Sequence, residues 1–149
     1  MKLLALDVAT RTGWTLSPDS GLFGTWDFSI KRDESGGLRL MRFKAKLKEI
    51  HEAEGINLVV YERTAGRHRG AIIVQSELHG MMKTWCEENK VEYRAYSAPE
   101  IKKFATGKGN SGKPLMIQAC IDKYNITPVD DNSADSLHLW HLAKQDLNL

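Results

Sequence analysis

At 149 residues the chain has room for one ordinary domain, read here as a single unit over residues 1–149, and it is long enough to fold without staples. Apolar residues make up 42% and charged residues 27%, the balance of a soluble globular protein, and two cysteines are too few for a disulfide scaffold. The net charge of +2 excludes neither an anionic nor a cationic partner, so the partners have to be read from where the charges lie.

Taken in chain order, residues 3–8 (LLALDV) form an apolar run that carries Asp7 near its end, the pattern of a buried strand. The run is too short for a signal-peptide core or a bilayer span, so no membrane partner and a cytoplasmic setting are expected. Gly13 to Leu16 and Leu22 to Phe28 follow, separated by Ser17-Pro18-Asp19-Ser20-Gly21, which gives an antiparallel meander of three strands. Gly36-Gly37 punctuates before a helix in which Leu40, Phe43, Leu47 and Ile50 share a face, and Gly55 ends it. Ile56 to Tyr61 is a second apolar strand and stops at Glu62. A helix over about 71–88 places Val74, Leu78, Met81 and Trp85 on one face, and residues 91–96 alternate as a half-buried strand. Ser97-Ala98-Pro99-Glu100 has the residues of a capping box, so a short helix starts there. The glycine-rich loop 107–112 leads to a helix over about 114–124, Pro128 breaks the chain, and a last helix begins near Asn132 or Ser133. The order β-β-β-α-β-α-β-α-α-α predicts an α/β fold, a five-stranded mixed sheet with helices on both faces.

Three acids stand where stability gives little reason for one. Asp7 and Glu62 end the two most apolar strands, and Asp135 lies in the first turn of the final helix. Ligands of open α/β sheets bind at the carboxyl ends of strands. If the first and fourth strands are neighbours, Asp7 and Glu62 converge and Asp135 joins them. Bare carboxylates at close range raise one another's pKa, and divalent cations relieve the strain. Two magnesium ions about 4 Å apart, held by oxygen ligands, support phosphoryl displacement. Taken singly, each acid could equally be a turn residue or a helix cap.

The basic residues are also segregated. Residues 102–113 hold four lysines and no acid, and residues 63–70 hold three arginines and no acid. Basic loops beside a carboxylate cluster suit an enzyme that grips a polyanion, although two solvated loops would show the same composition.

Leu3-Leu4-Ala5-Leu6-Asp7-Val8-Ala9 with Thr12-Gly13-Trp14, then Val59-Val60-Tyr61-Glu62, then the lysine-rich segment Lys102 to Lys113, and finally Asp131-Asn132-Ser133-Ala134-Asp135-Ser136-Leu137 together resemble the RuvC-type Holliday-junction resolvases, in order across nearly the whole chain. The resemblance implies a ribonuclease-H-like fold and a homodimer that sets two sites on branched DNA, whether a four-way junction or forks and flaps. It implies nicking with two Mg2+ ions per site, for which Mn2+ substitutes. It makes Asp7, Glu62 and Asp135 metal ligands, and brings Lys103, Lys108 and Lys113 close to the scissile phosphate. Arg63, Arg67, Arg69, Lys102, Lys103, Lys108 and Lys113 would hold the DNA backbone, with Lys113 or Lys108 stabilising transition-state charge. The family pattern has a fourth acid three residues before the last, where this chain has Asn132. Asp131 is taken in its place, since i and i+4 share a helical face, while Asn132 could ligate through its amide oxygen or cap the helix. The chain length resembles a compact, phage-like member.

Two other readings compete. A branched-DNA-binding protein could keep the fold and basic loops without cleaving. Residues 107–113 (GKGNSGK) satisfy the first seven positions of a nucleotide-hydrolase P-loop, but the eighth is Pro114 and the preceding segment reads as helix. His138 lies close enough in sequence to Asp135 to assist it, and His141 reads as a surface histidine. Trp85, Trp140, Tyr61 and Phe104 are expected in the core, while Trp14 and Trp26 could pack or stack on bases.

Overall fold

The computed structural model describes residues 1–64 and 68–149. Strands β1 (Leu3–Asp7), β2 (Arg11–Ser17) and β3 (Leu22–Asp27) form the meander, and helix α1 (Gly36–Glu54) follows. Then come β4 (Leu58–Glu62), α2 (Arg69–Glu88), β5 (Glu92–Tyr96), α3 (Ala98–Thr106), α4 (Lys113–Tyr124) and α5 (Asp131–Asp146). The five strands form one sheet in the order β3-β2-β1-β4-β5. β1 pairs antiparallel with β2 but parallel with β4, and β4 pairs parallel with β5. The sheet is therefore mixed, as the element order implied.

Period-two alternation divides the core. Leu4, Leu6 and Val8 on β1 and its extension, with Val59 and Tyr61 on β4, face α1 and α2 and meet Phe43, Leu47, Leu78, Met82 and Trp85. Leu3, Ala5, Leu58 and Val60 point the other way, against Ile101, Met116, Leu139 and Ala143 of the last three helices. Both faces of the central strands are thus covered, which is why β1 and β4 read as unbroken apolar runs. Burying a side chain such as Phe43 or Leu4 stabilises the fold by about 1.5–3 kcal/mol each.

The details differ at several ends. Gly36 and Gly37 lie inside the first turn of α1. Helix α5 starts at Asp131 because Asp130 caps it: the carboxylate accepts from Ser133 N at 2.9 Å, and Ser133 Oγ accepts from Asp130 N at 3.0 Å. Asn132 is therefore not the cap. Ser97 and Glu100 do form the expected capping box on α3. Trp14 and Trp26 stack on each other with centroids 5.3 Å apart, and pack against the α1 side of the core. Phe104 is half-buried, with the Lys123 ammonium 4.0 Å from its ring, rather than a core residue.

Candidate active site

Register brings the first two acids together. Asp7 shares a face with Leu3 and Ala5, and Glu62 shares one with Leu58 and Val60; both are the face covered by α5. The parallel pairing runs to Leu6 opposite Tyr61, so the next residues, Asp7 and Glu62, lie level on adjacent strands. Neighbouring strands are about 4.8 Å apart, which leaves the two carboxylates little room to avoid each other.

Asp135 arrives from above, and its arrival depends on how α5 is seated. Asp130 accepts hydrogen bonds from Thr25 Oγ1 at 2.6 Å and from the Arg11 guanidinium at 3.2 Å, which fastens the cap to β2 and β3. Burial opposes the Asp130 charge, but the hydrogen bonds from Thr25 and Ser133 and the Arg11 pair outweigh it and hold the carboxyl below the ordinary range. Nearly two turns on, Ser136 Oγ and Thr15 Oγ1 lie 2.8 Å apart. Between these two anchors sits Gly13, the cross-strand partner of Asp7. A Cβ at position 13 would stand 1.9 Å from the Asn132 carbonyl oxygen, so only glycine lets the helix come this close.

The consequence is a carboxylate contact. The Asp7 and Asp135 carboxyls lie close enough to act strongly on each other's charge, and each disfavours ionisation of the other. Burial first, and then the charges of Asp135 and Glu62, push the Asp7 carboxyl well above the usual range. Asp135 is pushed up to about 7 by burial, the Glu62 charge and the Asp131 charge, against the opposing Asp7 hydrogen bond and Lys102 charge. Glu62 is raised by burial and partly relieved by Lys102. Asp131 adds its charge to both aspartates and pairs with Lys113 at 3.3 Å.

Glu62, Asp131 and Asp135 open into a cleft of about 810 Å3 that Lys102, Lys113 and Gln75 also line. Gln75 Nε2 donates to the Val8 carbonyl at 3.0 Å, tying α2 to the strand end beside Asp7. Among the described residues no three acid, histidine or cysteine side chains are gathered closely enough to cage an ion as they stand. The direct contact is the Asp7–Asp135 pair, with Glu62 and Asp131 acting on it by charge. The donors are nonetheless all hard carboxylate oxygens, and no lysine or arginine is ion-paired with Asp7, Glu62 or Asp135 among the described residues. That chemistry fits magnesium or manganese, which would neutralise the clustered charge.

The basic residues are less concentrated than their sequence grouping implies. Lys102 and Lys113 line the cleft. Lys103 lines a separate cavity with Tyr96, Phe104 and Asp146, away from the carboxylates. Lys108 is exposed on a loop closed by its own backbone, which donates to Thr106 Oγ1 at 3.2 Å and accepts from Ser111 Oγ at 2.9 Å. That loop follows helix α3, whereas a P-loop follows a strand. Arg63 and Arg69 are exposed, beyond the end of β4 and at the start of α2; Arg67 lies outside the described residues.

Neither histidine of α5 behaves as expected. His138 is fully buried on the α4 side, with ring nitrogens 2.8 Å from Tyr124 Oη and 2.8 Å from the Met116 carbonyl, so it is not an assistant to Asp135. His141 is half-buried, stacked on Tyr124 at 3.8 Å, and burial lowers its pKa to about 4. Thr15, Thr25 and Gln75 were not singled out from sequence, and Asp130 and Ser136 were given no anchoring role. Only Asp130 carried a local signal, a cap-forming acid three residues before a serine.

The sequence matches no protein-family model and no curated protein. Solved structures do match. The Thermus thermophilus RuvC structure superposes with a TM-score of 0.75 at 16% identity, covering 99% of this chain and 97% of that one. The same bacterium's RuvC in complex with its Holliday junction substrate gives a TM-score of 0.76 at 16% identity, covering 95% and 92%. The yeast mitochondrial Holliday junction resolvase Ydc2 gives 0.66 at 13% identity, covering 99% of this chain and 80% of that one. The chain has the RuvC fold. In RuvC terms the sheet is ribonuclease-H-like, five-stranded and mixed, and Asp7 and Glu62 lie at the carboxyl ends of its parallel strands β1 and β4.

Proposed function

We propose that this chain is a structure-selective endodeoxyribonuclease that resolves four-way DNA junctions, a single RuvC-like nuclease domain over residues 1–149 acting as a homodimer. The observation that carries the proposal is the convergence of Asp7 and Glu62, level on adjacent strand ends, with Asp135 and Asp131 of α5, beside a cleft that Lys102 and Lys113 line. A non-catalytic binder has no use for a buried pair of like charges, whose repulsion is a standing cost to the fold.

Asp7, Glu62, Asp135 and Asp131 are the residues that would hold two magnesium or manganese ions. Those ions, when bound, lower the pKa of a water and neutralise charge on a departing oxygen. The protein's own groups do the rest. The rigid β1 and β4 ends fix two carboxylates, and the Gly13-dependent seat of α5 fixes the other two. The ammonium groups of Lys102 and Lys113 face the cleft, where added negative charge on a phosphate would be stabilised. Arg63, Arg67, Arg69, Lys103 and Lys108 would position the DNA backbone, contacts that carry little sequence information. Both cysteines are free and buried, which suits a reducing setting; no helix among the described residues is long and apolar enough to cross a membrane.

The test is cleavage of a labelled four-way junction with magnesium or manganese, beside linear duplex of the same sequence. Symmetric nicks on the junction, absent from duplex and abolished in Asp7→Asn, support the proposal. Retention of the junction without nicks at any metal concentration contradicts it and favours a binding protein; cuts on forks and flaps alone point to a broader branched-DNA nuclease.

A further inference from the structure

Among the described residues, Asp131 is the one member of the four-acid group that already has a side-chain cation, the Lys113 ammonium 3.3 Å from its Oδ2. The two residues open adjacent helices, Lys113 at the start of α4 and Asp131 at the start of α5, and both border the cleft containing Glu62 and Asp135. Asp131, at the mouth of the cleft, is the acid that a lysine neutralises. The outer half of the cluster is thus occupied by positive charge that belongs to the protein. The Lys113 side chain is 79% exposed, so charge rather than packing holds it, and an exposed pair of this kind is weak enough to exchange.

We infer that Lys113 is a counter-ion latch: without DNA it occupies Asp131 and holds off a second divalent cation, and a DNA phosphate entering the cleft draws the ammonium away and opens Asp131 to that cation. The inference rests on reading the cleft as a two-ion nuclease site. Its physics is competition at one carboxylate. An ammonium and a divalent ion cannot both sit against Asp131 without strong mutual repulsion, while a phosphate offers the lysine a fresh anion. The floor acids and the mouth acid then load unequally. Reciprocity follows: whatever factor DNA adds to binding of the second ion, that ion adds to binding of DNA.

The experiment is a manganese titration of the full-length, DNA-free chain, with bound ions counted from the electron-paramagnetic-resonance signal of free Mn2+. Wild type is expected to bind one ion per chain well and a second at least about tenfold more weakly. Lys113→Met should tighten the second ion about tenfold and leave the first within about twofold. Lys113→Arg keeps the charge and should retain the wild-type pattern, and adding Asp131→Asn to Lys113→Met should remove the gain. A second-ion affinity equal in wild type and Lys113→Met, in a chain that binds two ions and nicks junctions, overturns the latch alone. A gain that survives Asp131→Asn also overturns it, because the effect would then be long-range charge. Failure of every variant to bind any ion overturns the latch together with the two-ion reading beneath it.

Discussion

Asp7 is the residue on which the chemistry and the stability pull in opposite directions. It is 8% exposed, in contact with another carboxyl, and raised well above its ordinary pKa by burial before any neighbour is counted. Replacing it with asparagine removes a buried like charge while keeping the shape. Asp7→Asn is therefore expected to stabilise the metal-free protein at pH 8, by on the order of 1–3 kcal/mol in denaturant unfolding, while reducing cleavage by at least about a thousandfold and leaving junction binding intact. A variant that cleaves at the wild-type rate would remove Asp7 from the mechanism. The same carboxyls set a pH dependence. Their folded-state pKa values lie above the unfolded ones, Asp135 at about 7, so the folded state binds more protons. Without metal, stability should thus fall as pH rises from about 4 through about 7. Added magnesium or manganese should restore it, most strongly at the alkaline end. A melting temperature that is flat across that window, with and without metal, contradicts the carboxyl pairing.

At the scale of elements, the site is an account of how α5 sits on β2. Gly13→Ala places a methyl group against the Asn132 backbone, which cannot withdraw as a side chain could. The expected outcome is a loss of about 1–3 kcal/mol in stability. Cleavage should fall disproportionately, because the shifted helix carries Asp131 and Asp135. Asp130→Ala removes the cap and frees Thr25 and Arg11. Loss of a cap alone costs about 1 kcal/mol, and metal affinity should weaken with it, measurable by titration of the refolded variant. Thr25→Val tests the same anchor from the other side and should give a smaller effect.

Element order was legible in the sequence because both faces of β1 and β4 are buried and both long helices present an apolar stripe. The acids at 7 and 62 stood out for a related reason: a carboxylate at the end of an apolar run has no packing role to explain it, while Asp135 stood out only by its place in the first turn of the last helix. What could not be read was the seat of α5. A close approach between Gly13 and Asn132 is a meeting of residues more than a hundred positions apart, and nothing local to either announces it. His138 was misread because spacing along a helix places it near Asp135, whereas the packing of α4 decides where its ring goes. Lys102 and Lys103 are adjacent in sequence and yet line different cavities, since consecutive helical residues point about 100° apart.

At the scale of the whole molecule, the sheet, the cleft and the bordering lysines form one arrangement: anionic at its floor, cationic at its rim. DNA binding through that rim should weaken steeply with salt, with a linear dependence of log affinity on log salt, and the slope should become shallower by about one when a single phosphate-contacting lysine such as Lys102 is replaced by alanine. An unchanged slope would place the DNA elsewhere on the surface. Beneath the rim, the account depends on carboxylates from β1, β4 and α5 acting as one cation-binding pocket. The most direct measurement is anomalous scattering from a crystal of the protein soaked in manganese. The account expects a strong peak between Asp7 and Asp135, within coordinating distance of Glu62. Manganese peaks confined to other surfaces, with none at Asp7 and Asp135, would contradict it.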